Sequence, residues 1–276
     1  MKDEDCVSFL RWALPRLGFR WPGFRKVRRQ VCKRVRRRLN GLDLPDVAAY
    51  RRFLESTPGE WPALDALCRI PISRFWRDRG VFDHLAAHIL PRLANEADRS
   101  SKREIRAWSA GCASGEEPYS LAIAWELGAA LRFPRLSLQI LATDADAALL
   151  ERATRAVYPR GSLKDLPQAF RDAAFEETNG QYRLRERFRA PALFRCEDIR
   201  TAMPEGPFDL VLCRNLAFTY FDEAGQRAAL EKIAARLSPG GYLVIGAHEK
   251  LPKGAADFAA EPNVRGVSRL REEARP

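Results

Sequence analysis

Long apolar runs are absent from this 276-residue sequence. No segment reaches the roughly 20 consecutive apolar residues that a membrane-spanning helix requires. The N-terminus also lacks the basic start and unbroken apolar stretch of a secretory signal. We therefore expect a soluble protein of the cytoplasm, with no insertion into a membrane.

Closely spaced cysteine pairs are absent as well. The six cysteines are scattered without a C-x-x-C motif, at Cys6, Cys32, Cys68, Cys112, Cys196 and Cys213. This scatter argues against a disulfide framework and against a structural zinc site, so we predict neither, and no other metal site. A reducing compartment suits this cysteine usage best.

Negative charge is in short supply. The chain has 47 Lys and Arg residues against 36 Asp and Glu residues, a formal net charge of +11. An excess of positive charge favours an acidic partner, which leaves nucleic acid, an anionic membrane surface and an acidic protein as options. Charge alone does not choose among them.

The first hundred residues carry helical periodicity. Apolar residues recur every three to four positions, which predicts an all-helical domain over residues 1–97. Its clearest helix, residues 24–40, has one apolar stripe and is otherwise almost entirely Arg and Lys. Further helices are predicted at residues 47–56, 62–68 and 81–97, and a charged stretch at residues 98–106 marks the boundary.

The pattern changes after this boundary. Short apolar runs alternate with helical stretches, the order typical of a parallel sheet with helices on its faces. Strands are predicted at residues 105–110, 136–144, 208–215 and 242–247, and helices at residues 119–131, 145–155 and 222–237. The stretch at residues 158–195 is too long for a simple connection and alternates, which predicts a small antiparallel insertion.

A turn of small residues joins the first predicted strand to a helix, with the sequence W-S-A-G-C-A-S-G-E-E-P-Y at residues 108–119. Small residues let a ligand approach the backbone, although a tight turn without a ligand is the alternative. Glu116 and Glu117 would repel a pyrophosphate, which disfavours a dinucleotide and suits a cationic, hydroxyl-rich ligand. S-adenosylmethionine, with its sulfonium and ammonium groups, meets this requirement.

The second predicted strand ends in two aspartates. A carboxylate at a strand end can accept hydrogen bonds from both hydroxyls of a ribose, and the alternative role is to cap the next helix. By position, Asp144 fits the ribose and Asp146 fits the cap.

Three collinear motifs narrow the assignment. W-S-A-G-C-A-S-G-E-E-P-Y-S, then F-D-L-V-L-C-R-N followed by Y-F-D, then L-S-P-G-G-Y-L-V-I-G together resemble the chemotaxis receptor methyltransferases of the CheR type. The resemblance extends over nearly the whole chain. It includes the basic N-terminal helix, the sequence S-R-F-W-R at residues 73–77, which is similar to the family's T-x-F-F-R, and Tyr158-Pro159. It implies an α/β fold: an all-helical N-terminal domain, then a Rossmann-like class I methyltransferase domain over residues 98–276, with a small antiparallel β-subdomain at residues 158–195.

The resemblance also implies a set of site residues for S-adenosylmethionine and its product S-adenosylhomocysteine. Ser73 and Arg77 touch the cofactor or line the reacting centre, and Glu117 holds the methionine end. The other expected cofactor-binding residues are Gly111 and Gly115 in the turn, Asp144 at the ribose, Asp198 and Ile199 beside the adenine, and Arg214 and Asn215 closing the pocket.

Two residues are expected to be catalytic. Arg77 would orient the incoming carboxylate by a forked hydrogen bond, the alternative being a structural ion pair. Tyr220 would lie beside that carboxylate, although it follows C-R-N one residue later than is usual in the family. No catalytic histidine is needed, because a glutamate carboxylate is already ionised at neutral pH and its attack requires alignment more than a base.

The basic helix suggests the partner. In the family this helix would face the acidic methylation helices of a receptor, and the alternatives are a solvated face or RNA. RNA-binding surfaces commonly interleave exposed aromatic side chains, which this helix lacks, so nucleic acid is disfavoured. Its cationic residues are Arg25, Lys26, Arg28, Arg29, Lys33, Arg34, Arg36, Arg37 and Arg38.

The leading hypothesis is an enzyme that transfers methyl from S-adenosylmethionine to glutamate carboxylates of a protein, a chemoreceptor or a related signalling protein. One alternative is a divergent methyltransferase for another carboxylate, a small molecule or a nucleic acid. The other is a regulatory module that senses S-adenosylmethionine or S-adenosylhomocysteine without turnover.

Overall fold

The computed structural model describes residues 2–272, which divide into two compact units. The helical unit comprises residues 2–71 and Thr219–Arg227, and the sheet unit comprises Ile72–Phe218 and residues 228–272. Helices at residues 79–99 belong to the sheet unit because their apolar side chains lie in its core. The predicted boundary at residue 97 marks the change from helices to strands.

The helical unit packs its helices around a small apolar core. Along α3 the buried residues Val31, Val35 and Leu39 lie on one face, as the periodicity predicts. Asp46 caps α4 by accepting a hydrogen bond from the Ala49 amide at 2.8 Å. Within residues 2–71 the α-helices are α1 (Asp3–Ala13), α2 (Trp21–Phe24), α3 (Arg28–Gly41), α4 (Val47–Ser56) and α5 (Trp61–Cys68).

A disulfide joins two of these helices. Cys6 on α1 and Cys32 on α3 are both buried and bonded to each other. The prediction that the cysteines form no disulfide is therefore wrong for this pair. Sequence spacing could not reveal it, because the two cysteines are 26 positions apart on different helices and only the packing brings them together.

A late segment of the chain completes the helical unit. The Asp222 amide donates to the Gly18 carbonyl at 2.8 Å, and Phe19 forms an isolated bridge with Phe221. Gly23 approaches the Thr219 carbonyl so closely that no side chain would fit at this position. Residues 219–227 are thus integral to this unit although they are remote in sequence.

The strands and helices predicted after residue 98 are present with shifted ends. The strand predicted at residues 242–247 begins at Leu237, and the helix predicted at residues 222–237 begins in the helical unit. No helix in residues 2–272 combines the length and apolar content needed to cross a bilayer. The later helices are α6 (Arg79–His84), α7 (Leu90–Arg99), α8 (Glu116–Ala124), α9 (Ala130–Arg132), α10 (Ala147–Arg155), α11 (Gln168–Ala174), α12 (Glu186–Arg189), α13 (Ala217–Tyr220) and α14 (Glu223–Ala234). The strands are β1 (Glu104–Ala110), β2 (Ser137–Asp144), β3 (Val157–Pro159), β4 (Phe175–Thr178), β5 (Gln181–Leu184), β6 (Ala192–Cys196), β7 (Phe208–Leu212), β8 (Leu237–Val244), β9 (Phe258–Ala260) and β10 (Val267–Leu270).

Seven of the described strands form one sheet, in the order β6-β2-β1-β7-β8-β10-β9. The first five are parallel to their neighbours, and β10 and β9 run antiparallel at the far edge. The central strands are buried and apolar, as expected for a sheet covered on both faces. The predicted Rossmann-like α/β fold is confirmed.

Three short strands form a second sheet between α10 and α12. Their order is β3-β5-β4, with antiparallel pairing throughout, which confirms the predicted antiparallel insertion. The stretch at residues 158–195 also includes most of β6, which pairs with β2 as an edge strand of the large sheet instead. The segment therefore contributes to both sheets.

Candidate functional site

Five parallel strands end at the same edge of the large sheet. The strand order reverses between β1 and β7, and ligands of open α/β sheets bind at the carboxyl ends beside such a point. Most of the predicted site residues follow these ends: Asp198 and Ile199 after β6, Asp144 closing β2, Gly111, Gly115 and Glu117 after β1, and Arg214 and Asn215 after β7.

The turn between β1 and α8 is held in a compact form. Gly111 (φ +73°) and Gly115 (φ +88°) both adopt left-handed backbone angles. A Cβ on Gly115 would lie 2.9 Å from the Ala153 Cβ and 3.1 Å from the Tyr158 hydroxyl. That hydroxyl donates a hydrogen bond to the Ser114 carbonyl at 2.8 Å. The turn therefore requires glycine at position 115 and is fixed by a tyrosine of the small sheet.

The two acidic residues of the turn have different surroundings. Glu116 is buried and accepts hydrogen bonds from the Ser114 hydroxyl, 3.1 and 3.0 Å from its two carboxylate oxygens. Burial raises the pKa of Glu116, while the side chains of Ser114 and Ser73 lower it by hydrogen bonding. Glu116 therefore ties Ser73 to the turn.

Glu117 points into a charged network instead. Its carboxylate accepts hydrogen bonds from the Ser109 hydroxyl at 2.7 Å and from the Arg214 guanidinium at 3.0 Å. Burial raises the pKa of Glu117, and the positive charge of Arg214 opposes that rise. The residue predicted to hold the methionine end of the cofactor is thus a partly buried carboxylate hydrogen-bonded to Arg214.

Arg214 connects Glu117 to the segment that carries Arg77. Its side chain is 2% exposed, and its Nη2 atom donates to the Arg77 carbonyl at 2.6 Å and to the Asp78 carboxylate at 2.9 Å. Burial would raise the pKa of Asp78, but Arg214 and the Ala247 amide together hold it below its ordinary value. Asp78 is therefore ionised at neutral pH and pairs with Arg214.

The Arg77 guanidinium is held at two points. Nη1 donates to the Ile72 carbonyl at 2.5 Å and Nη2 donates to the Asn215 side-chain oxygen at 3.1 Å. Its neighbours Trp76 and Asp78, with Asn215, have φ values of +58°, +60° and +55°. Such backbone angles cost about 1–3 kcal/mol each in non-glycine residues and cluster at functional sites. The structure therefore brings Arg77, Arg214, Asn215 and Glu117 together.

The two aspartates at the end of β2, Asp144 and Asp146, have different roles, and the prediction that Asp146 caps the next helix is confirmed. Asp146 caps α10 by accepting from the amides of Ala148 and Leu149 at 3.0 and 3.4 Å. Asp144 accepts a hydrogen bond from the Ala113 amide at 2.9 Å, which places its carboxylate beside the turn between β1 and α8. Its contact with a ribose stays a prediction.

The adenine-side residues follow the edge strand β6. The Asp198 carboxylate is bound by the Arg200 guanidinium, with a shortest distance of 2.6 Å, and accepts from the Arg200 amide. Ile199 is buried. Contacts of Asp198 and Ile199 with an adenine stay predictions.

Tyr220 lies in the helical unit. Its ring centroid is 5.0 Å from that of Phe24, and its carbonyl accepts a hydrogen bond from the Arg20 amide at 2.8 Å. The chain passes from the sheet unit to the helical unit between Phe218 and Thr219. The catalytic role of Tyr220 stays a prediction.

The residues of the sheet edge fit S-adenosylmethionine by their chemistry. The turn at residues 111–119 contains two carboxylates and no Lys or Arg, which suits a cation and not a pyrophosphate. Asp144 offers carboxylate oxygens at the end of β2, where a ribose diol needs acceptors. Gly111 and Gly115 adopt left-handed backbone angles that other residues rarely take, which keeps the turn compact.

Three residues of the site were not predicted as site residues. Asp78 and Glu249 contact the site as carboxylates, and Tyr158 contacts it as a hydroxyl. Asp78 could have been suspected from its place beside Arg77, because a buried arginine network needs an anion. Tyr158 belongs to one of the motifs that carry the family resemblance, but no local pattern connects Tyr158 or Glu249 to the turns they support.

Comparison with known proteins gives a family match. The family model "CheR methyltransferase, SAM binding domain" matches residues 72–266, which begin where the sheet unit begins. The matched range contains Ser73, Arg77, Glu117, Asp144 and Arg214.

Curated relatives cover most of the chain. A chemotaxis protein methyltransferase of Listeria monocytogenes is 38% identical over 186 residues, 67% of this chain and 68% of the relative. One from Escherichia coli is 33% identical over 230 residues, 80% of this chain and 76% of the relative. A probable biofilm formation methyltransferase, WspC, of Pseudomonas aeruginosa is 35% identical over 222 residues, 79% of this chain and 51% of the relative.

Proposed function

Because this chain belongs to the CheR family of S-adenosylmethionine-dependent methyltransferases, we propose that its methyl acceptor is the side-chain carboxylate of a glutamate on another protein. The observation that carries this proposal is the placement of Arg77 inside the matched range, with its guanidinium held beside Asn215. A fixed guanidinium suits a planar carboxylate better than it suits an amine or a hydroxyl.

Methyl transfer to a carboxylate requires that the carboxylate and the methyl group be aligned. S-adenosylmethionine supplies a methyl group on a good leaving group. The acceptor carboxylate is already ionised at neutral pH, so no side chain needs to remove a proton. Arg77 would direct one carboxylate oxygen toward the methyl group, while Glu117 and Asp144 would hold the methionine and ribose ends of the cofactor. Positioning of this kind can contribute several orders of magnitude to a rate.

The basic surface of α3 supports an acidic protein as the partner. Of the nine cations predicted for the basic helix, Arg25 and Lys26 precede α3 and seven lie on it. Arg28 pairs with Asp3, Arg34 donates to the carbonyls of Leu67 and Arg69, and Arg38 pairs with Glu60. The remaining cations are exposed, at Arg25, Lys26, Arg29, Lys33, Arg36 and Arg37. An acidic helical segment of a cytoplasmic chemoreceptor domain, or of a related signalling receptor, matches this surface.

Calorimetric titration tests the cofactor half of the proposal. We expect the protein to bind S-adenosylhomocysteine. We expect Asp144→Ala to weaken binding by about 10–100-fold, because the ribose hydroxyls of the ligand then lose their carboxylate acceptor. Asp146→Ala is the matched control, since it removes a carboxylate from the helix cap. Equal binding by Asp144→Ala and Asp146→Ala would contradict the assignment of Asp144.

Transfer of labelled methyl tests the acceptor half. The acceptor is a purified chemoreceptor cytoplasmic domain from the same organism, beside a version with its methylation-helix glutamates changed to glutamine. We expect label only on the glutamate version, in a base-labile ester. We expect Arg77→Ala to lower kcat by about 100-fold while changing S-adenosylhomocysteine affinity less than about threefold.

The other outcomes separate the alternatives. Cofactor binding with transfer to a different acceptor would indicate a divergent methyltransferase. Cofactor binding with no transfer to any acceptor would indicate a sensing module.

A further inference from the structure

The turn after β8, residues 246–249 with the sequence G-A-H-E, lies beside the loop after β7. We propose that Glu249 of this β8 turn is a positioning residue that fixes the direction of the Arg77 guanidinium through Asn215. The inference rests on the proposed function, because its importance lies in how Arg77 meets an acceptor carboxylate.

One oxygen of Glu249 joins the two loops. Its Oε2 atom accepts hydrogen bonds from the Asn215 amide at 2.8 Å and from the Gly246 amide at 2.6 Å. Asn215 follows β7 and Gly246 follows β8, which are adjacent parallel strands. The carboxylate therefore sets the position of the Asn215 backbone relative to the β8 turn.

The Asn215 side chain carries this constraint to Arg77. Asn215 has a left-handed backbone (φ +55°), a conformation that the surrounding hydrogen bonds must maintain. Its side-chain oxygen accepts from the Arg77 Nη2 atom at 3.1 Å. Loss of the Glu249 contact would release the Asn215 backbone, and the partner of Arg77 would then move.

A second contact from the same turn reinforces the first. The Ala247 amide donates to the Asp78 carboxylate at 3.3 Å, and Asp78 follows Arg77 directly. The β8 turn thus holds Arg77 from two sides, through Asn215 and through Asp78.

Gly246 shows how closely these groups pack. A Cβ at this position would lie 2.9 Å from the Glu249 Oε2 atom and 3.0 Å from the Asn215 Nδ2 atom. Any larger residue would push the glutamate away from Asn215. The absence of a side chain at position 246 is therefore part of the same arrangement.

The chemistry of the contact predicts a graded response. Both amides donate to one oxygen, so the carbonyl oxygen of a glutamine can occupy the same place with weaker, uncharged acceptance. Glu249→Gln should therefore retain most of the positioning, and Glu249→Ala should lose it. A purely electrostatic role of the carboxylate would instead make the two variants equally defective.

The experiment compares Glu249→Ala and Glu249→Gln with Glu261→Ala. Glu261 is a buried glutamate of the sheet unit, paired with Arg92 and outside the cofactor and acceptor site. For each protein we would measure S-adenosylhomocysteine affinity by calorimetry, kcat and KM with the chemoreceptor cytoplasmic domain, and amide hydrogen exchange over residues 72–78 and 213–217.

We expect Glu249→Ala to lower kcat by about 10–100-fold, as outer contacts of a reacting group typically do. Its affinity for S-adenosylhomocysteine should stay within about threefold, and both segments should exchange faster. Glu249→Gln should recover kcat to within about fivefold of the original protein, and Glu261→Ala should leave both segments protected.

Two results would overturn the proposal. One is unchanged exchange over residues 72–78 in Glu249→Ala, and the other is equal loss of kcat in Glu249→Ala and Glu249→Gln. If the original protein methylates no receptor glutamate, the proposed function fails, while the exchange and affinity data still decide whether Glu249 orders Arg77.

Discussion

Single residues of the site depend on one another through buried charge. Arg214 has carboxylate partners on both sides, Glu117 at 3.0 Å and Asp78 at 2.9 Å. Removing either carboxylate would leave the guanidinium partly unpaired in a buried place, which typically costs several kcal/mol. Substitutions that keep the shape and remove the charge are therefore the informative ones at this site.

Glu117 should make cofactor affinity depend on pH. Burial raises its pKa above the ordinary glutamate value, so the protonated form persists at pH values where an exposed glutamate is ionised. Only the ionised form attracts an ammonium group. Affinity for S-adenosylhomocysteine should therefore fall by up to about tenfold per pH unit below this raised pKa.

Calorimetry across a pH series measures this dependence. Glu117→Gln should bind more weakly at neutral pH and show a flatter profile over the same range. Glu116 also has a raised pKa, but it contacts Ser114 and Ser73 and should still titrate in the variant. An equally steep profile in Glu117→Gln would assign the titration to another group.

At the scale of elements, the small sheet of β3, β5 and β4 supports the turn between β1 and α8. Tyr158 on β3 donates its hydroxyl to the Ser114 carbonyl, and its ring packs edge-on against Phe75 at 4.8 Å. Phe75 lies in the segment that carries Ser73 and Arg77, and its amide donates to the Ser162 carbonyl. The insertion is therefore connected to both parts of the site.

Removing the Tyr158 hydroxyl should loosen the turn between β1 and α8. Tyr158→Phe leaves the Ser114 carbonyl without its buried donor, a loss of about 1–3 kcal/mol in the free energy of unfolding. We expect a thermal midpoint lower by a few degrees and S-adenosylhomocysteine affinity weaker by about 3–10-fold.

Tyr182→Phe provides the comparison, because Tyr182 on β5 of the same sheet donates to Glu177 and not to the turn. It should leave cofactor affinity unchanged. Similar affinity losses in the two variants would mean that the small sheet acts through general stability only.

Local periodicity was enough to predict some elements and not others. The stripe of α3 and the apolar strands β1, β2 and β7 are visible in the sequence because each repeats a pattern over five or more residues. The sequence pattern places most of β6 in the insertion, since its partner β2 is remote and its five residues alternate like those around it. The contacts of Glu249 and the bond between Cys6 and Cys32 depend on tertiary packing, which no local pattern records.

For the whole molecule, the excess of positive charge is concentrated on one helix. α3 contains seven Lys and Arg residues and no acidic residue, although cations in a first helical turn oppose the helix dipole. A surface that costs stability in this way is consistent with selection for a partner. Screening should weaken its attraction as salt rises, since the Debye length is about 10 Å at 0.1 M ionic strength.

Arg37→Glu should therefore impair recognition more than catalysis. At low ionic strength we expect KM for the receptor domain to rise about 3–10-fold with kcat within about twofold, and the difference should shrink at high salt. Steady-state kinetics at two salt concentrations would measure this.

The control for this variant is Arg52→Glu, which makes the same charge change at an exposed position on α4. Arg52→Glu should have little effect on KM. An equal rise in KM for both variants would show that net charge matters and the α3 surface does not.

The division of the helical unit between two stretches of chain has a consequence for biosynthesis. Residues 2–71 leave the ribosome first, but Thr219–Arg227, which pairs with Gly18 and Phe19, is made only after the strands of the large sheet except β8, β9 and β10. At about 5–20 residues per second, the N-terminal helices wait roughly 7–30 s for their last partner. The part of the chain that is translated first is thus among the last to be finished, because Phe19 and Phe24 lack their contacts with Phe221 and Tyr220 until then.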